Sequence, residues 1–167
     1  MSYQQKRSVV SIISGLLVLG AYCFYAFEKY QSSGILNDMK SWASTMLLFI
    51  GIGIVVMIII QIVFHILLSV SIAIKEKIQN EQSDDKAIEK SIELEMVEDE
   101  MDKLIELKSN RVGFAIAGIG FITGLVSLIL DYSPVVMMNI MFISFIFGSL
   151  IEECTKLYFY RSGVKNG

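Results

Sequence analysis

From Trp42 to Ile74 the chain runs for 33 residues without a Lys, Arg, Asp or Glu. About 20 apolar residues, rising about 1.5 Å each, are enough to cross a hydrocarbon core of about 30 Å. Three shorter runs of the same kind follow the same rule: Ser8 to Phe27, Val112 to Leu130, and about Tyr132 to Ile151. Lipid offers backbone N–H and C=O groups nothing to bond to, so such segments satisfy themselves as helices. The expected fold is therefore all-α: an integral membrane bundle of four transmembrane helices.

The first run is full length and ends in Tyr22, Phe24, Tyr25 and Phe27, an aromatic boundary suited to a membrane interface rather than a cleavage site. It is read as a retained helix. Between the third and fourth runs lies the tight turn Asp131-Tyr132-Ser133-Pro134, with the proline at a helix start, where its missing N–H costs nothing. Orientation follows from the basic residues. With the N-terminus inside, Lys6, Arg7, Lys75, Lys77, Lys86, Lys90, Lys103, Lys108, Arg111, Lys156, Arg161 and Lys165 are cytosolic, and only Lys29 and Lys40 fall outside. Both termini are then cytosolic. The outer connections, Glu28 to Trp42 and the Asp131 turn, are too short for a receptor domain. Cys23 and Cys154 fall near opposite faces of the membrane, too far apart for a disulfide.

The remaining polarity is concentrated. Twelve of the 17 acids lie between Glu76 and Glu106. The division expected is a first helix pair over 1–75, an acidic cytosolic helical hairpin over 76–110, and a second helix pair over 111–167. Trp42 to Ile74 would be about 50 Å long as one helix, so the second helix should emerge past His65, with Val70, Ile74 and Ile78 as an apolar stripe. Ser83, Asp84 or Asp85 can cap the next helix, which is expected from about Lys86 to Asn110 and onward into the third span. Leu94, Val97, Met101, Leu104 and Ile105 mark its apolar face, and the first four are the candidate contact surface. Its acids make it unsuited to lie on anionic lipid, so the hairpin should project.

The segment from Asp99 to Arg111, DEMDKLIELKSNR, resembles a D-E-x-D-x-x-I-x-x-K-x-x-R helix that leads into a transmembrane segment in small bacterial four-span membrane proteins. The resemblance covers this junction and the hydropathy layout. It implies a bacterial origin and the inner membrane, and it brings no activity with it. Because some proteins of that group are encoded beside small helix-turn-helix regulators, it also implies a regulatory accessory role.

Gly113, Ala117, Gly120 and Gly124 share one helix face, and Ser144 and Gly148 form a similar step on the fourth span. Small residues let helices approach closely, the main packing device in lipid. Glu152 lies one turn beyond Gly148 on the same face, while Glu153 points elsewhere. Gln61, His65 and Ser69 share a face of the second helix, and Lys108 and Arg111 enter at the same level from the third. These residues suggest a polar layer at the cytosolic mouth. Its plain reading is interfacial anchoring with a Glu152–Arg111 or Glu152–Lys108 ion pair; its sharper one is an ion or proton site at His65 and Glu152.

No phosphate loop, catalytic triad, zinc helix or basic nucleic-acid patch is present in the sequence. One His without a neighbouring ligand is no metal motif, and no cofactor is expected. Each half pairs an in-to-out helix with an out-to-in helix behind basic residues, as a parallel duplication, or two-span modules paired in a dimer, would. The functional expectation is a non-enzymatic protein in contact with membrane lipid. It acts through helix-mediated oligomerisation, as a homo-oligomer, or through a cytosolic protein partner, and not on nucleic acid. The alternative is a small transporter or channel using the polar layer.

Overall fold

A computed structural model describes residues 3–33, 38–79 and 85–163. Among these residues the protein is α-helical with no strand. It comprises α1 (Tyr3–Ser33), α2 (Met39–Gln79), α3 (Asp85–Met96), α4 (Glu100–Ile129) and α5 (Pro134–Ser162). Four of them, α1, α2, α4 and α5, are long and apolar enough to cross a membrane. Along the most apolar 18 residues of α2, none is buried inside the protein. An exposed apolar surface of that extent is what a membrane-spanning helix presents. With 41 residues, α2 is about 60 Å long, twice the thickness of a hydrocarbon core.

Helix α5 is the centre of the assembly, packed against α4 along its length and against α1, while α2 lies on α1 and α3. The α4–α5 seam is built on small residues. A Cβ on Gly113 would fall 2.9 Å from the Gly148 carbonyl oxygen, and one on Gly120 would overlap Ser144 Cβ. Gly113, Ala117, Gly120, Gly124 and Gly148 are all buried there. The α1 side uses a different device. Ser8, Ser11 and Ser14 are buried on one stripe, and Gly15 lets Leu150 of α5 press against the α1 backbone. Serine is small enough for close approach, and Ser14 returns its hydroxyl to the Val10 carbonyl at 2.8 Å.

Two apolar clusters close the ends. At the turn end, Tyr22, Trp42, Met46 and Val135 are buried together. Here the Tyr22 hydroxyl donates to Asn139 Oδ1 at 2.6 Å, and the Lys29 ammonium sits 4.8 Å from the Trp42 ring centre. At the other end Tyr3, Leu68 and Ile72 are buried, with Phe64, Ile92 and Met96 packed on them. Helix α3 therefore folds back along α2.

Three expectations change. The helix from Lys86 to Asn110 is two helices, broken at Val97, Glu98 and Asp99. Asp99 is an N-cap: its carboxylate accepts from the Asp102 N–H at 2.7 Å, and Asp102 accepts from the Asp99 N–H at 3.1 Å. That reciprocal pair satisfies two otherwise orphan donors and starts α4 afresh. The apolar face is divided accordingly. Leu94, Val97 and Met101 are exposed, Leu104 is half-buried and Ile105 is buried. Past His65, the covered residues of α2 are Leu68 and Ile72, whereas Val70, Ile74 and Ile78 are exposed. Of the proposed caps, Ser83 and Asp84 lie outside the described residues, and Asp85 opens α3.

Candidate functional site

Polar residues gather where the start of α1, the α3–α4 junction and the end of α5 meet. Three periodic stripes deliver them. Gln4, Arg7, Ser8 and Ser11 share a face of α1; Glu98, Asp102 and Glu106 follow one another at intervals of four; Glu153, Lys156 and Tyr160 line one side of α5. With Met57 and Gln61 of α2 they enclose a cavity of about 100 Å³.

The junction is held by this chamber. Glu98 accepts from Gln4 Nε2 at 3.3 Å and lies 3.5 Å from Arg7 Nη1. Both charged side chains are about two-fifths exposed, so the ion pair contributes at most about 1 kcal/mol. Tyr160 donates its hydroxyl to Asp102 Oδ1 at 2.7 Å. Asp102 thus completes the capping box of α4 and ties the helix to α5. Burial, reinforced by the Asp102 acceptor, pushes the Tyr160 phenol above its ordinary range, so it stays a donor. Lys156 reaches Glu152 and Glu153, each at 2.9 Å. Burial opposes its charge, but the two carboxylates outweigh that and hold the ammonium above its usual range.

The residues singled out from sequence divide between this chamber and other places. His65 is exposed and hydrogen-bonds the Tyr3 hydroxyl. Glu152 packs over Gly113 at the α4–α5 seam, within a shallow cleft shared with Asn110 and Ser149, and makes its ion pair with Lys156 of its own helix. Arg111 is exposed and Lys108 half-buried. His65 and Glu152 therefore have different partners, and neither lines the chamber. Glu153, read as pointing elsewhere, lines it. Among the described residues no three His, Cys, Asp or Glu side chains converge as a metal site would require.

Sequence reading missed Arg7, Glu98, Asp102, Glu106, Glu153 and Tyr160 as a group. Part of the signal was present: acids at positions 98, 102 and 106 recur every four residues. What joins them to α1 and α5 is tertiary packing, which periodicity does not report. No known protein family, curated protein or solved structure matches the chain.

Proposed function

We propose that this is a non-enzymatic, multi-pass protein of the bacterial inner membrane, with both termini and the acidic arm in the cytosol, that works through helix contacts. Those contacts form a homo-oligomer or hold a protein partner, and a regulatory accessory role fits them. The observation that carries the reading is the exposure of Leu94 (71%) and Val97 (68%), with Met101 beside them, in the acid-rich arm rather than along the apolar spans. Large apolar side chains outside lipid gain about 25 cal/mol for each Å² that a partner covers. Glu93, Glu98 and Glu100 are near them in sequence and exposed, so a partner with basic residues around an apolar centre complements this surface better than a like-charged copy.

The test is substitution of all three by serine, L94S/V97S/M101S. None is buried, so the bundle should keep its helicity. Complex mass in nanodiscs and recovery of a cytosolic partner would be compared with the parent chain. Loss of either assembly supports the reading. If both are unchanged, the contact surface is elsewhere and the proposal fails. The transport alternative at His65 and Glu152 is tested by flux in vesicles, and flux indifferent to H65A and E152Q removes it.

A further inference from the structure

The polar chamber does not end at the bundle mouth. Ser11, Met57 and Glu153 line both it and a second cavity of about 360 Å³ between α1, α2 and α5. That second cavity is walled chiefly by Val18, Gly53, Phe142 and Ile146, which also line a further apolar stretch reaching Phe49. From Gln61 to Phe49 this amphipathic groove follows about 18 Å of the α2 axis. Its existence depends on Gly53: a Cβ there would meet only Val18 Cγ1, at 3.7 Å, so a larger side chain would occupy the groove rather than clash with its wall.

Charge decides what fits. Four carboxylates, Glu98, Asp102, Glu106 and Glu153, line the polar end against two cations, Arg7 and Lys156. Lys156 is divided between Glu153 and Glu152, and Arg7 faces Glu98, so the acids still outnumber the cations at this end. Because these acids do not converge as ligands on one point, a bare metal ion is a poor match. A phospholipid would bring a phosphate to an end already rich in negative charge.

We propose that this groove binds a lipophilic cation: an apolar chain or ring system lying along Gly53 and Ile146, with an amine or quaternary ammonium among Glu106 and Glu153. The site requires no transport step and does not depend on the exposed face of the arm.

The experiment uses the full chain in phosphatidylcholine nanodiscs and a photoreactive dodecyltrimethylammonium probe, with the dodecyl sulfate analogue for comparison. The cationic probe should label peptides containing Met57 and Ile146 saturably, and the sulfate probe should not. Gly53→Phe should reduce that labelling at least about tenfold, and Glu106→Gln with Glu153→Gln should weaken apparent affinity by about tenfold. Gly51→Phe, whose Cβ meets nothing within 4 Å, is the control and should leave labelling intact. Comparable labelling by both probes would mean that the groove takes any lipid chain and would overturn the proposal. So would labelling that survives Gly53→Phe in protein of unchanged helicity.

Discussion

Tyr22 shows how much one polar atom can organise in an apolar setting. Its ring is wholly buried against Phe49 and Phe142, with centroids 5.2 and 4.4 Å away, and its hydroxyl reaches Asn139. Asn139 in turn donates to the Val135 carbonyl at 2.8 Å, so the bond joins α1 to a fixed point on α5. Removing the hydroxyl leaves the Asn139 oxygen unpaired where water is scarce. Tyr22→Phe should therefore cost about 1–2 kcal/mol in denaturant titration of the detergent-solubilised protein. Asp131 presents the opposite case. It takes φ 61°, a left-handed conformation costly for a residue with a Cβ, while Tyr132 and Asp131 donate back to Ser127 and Leu128. Asp131→Gly should raise stability by about 0.5–1 kcal/mol, read as a higher midpoint in the same titration. The turn at 131–134 was legible because Pro134 punctuates it. The Tyr22–Asn139 bond was not, because an aromatic near the end of an apolar run also suits a membrane interface, and nothing local to it points to a residue on the last helix.

The helices divide into those whose packing can be read from residue size and those whose ends depend on partners. The glycine face of α4 was visible in the spacing of Gly113, Ala117, Gly120 and Gly124, and it is the face that meets α5. Gly120→Ala should destabilise by about 1–3 kcal/mol, because no rotamer of Ser144 removes its Cβ from the new methyl. Ser144→Gly should recover most of that loss, and a double-mutant cycle would show it as coupling between the two sites. The matching serine stripe of α1 escaped notice because serine is equally at home at exposed positions. The break at Val97 escaped for another reason. Leu94, Val97, Met101 and Leu104 keep helical spacing straight across it, so the apolar period reports one helix where the Asp99–Asp102 capping box makes two. Within the charged junction motif, those two aspartates act mechanically, by beginning a helix.

For the whole molecule, the start of α1, the arm and the end of α5 share one end, joined through Arg7–Glu98 and Asp102–Tyr160, while Tyr3–His65 ties α2 to it. Lys90 lies on the exposed side of the arm and gives that end a reporter. On the proposed topology, Lys90→Cys, in a chain with Cys23 and Cys154 changed to Ser, should resist an impermeant maleimide in intact cells and react in inverted vesicles. The reverse pattern would invert the threading. Because α4 runs unbroken from Glu100 to Ile129, it is a rod about 45 Å long with the arm at one end and the Asp131 turn at the other. On the proposed topology, whatever pulls on Val97 works a lever whose far tip lies across the bilayer.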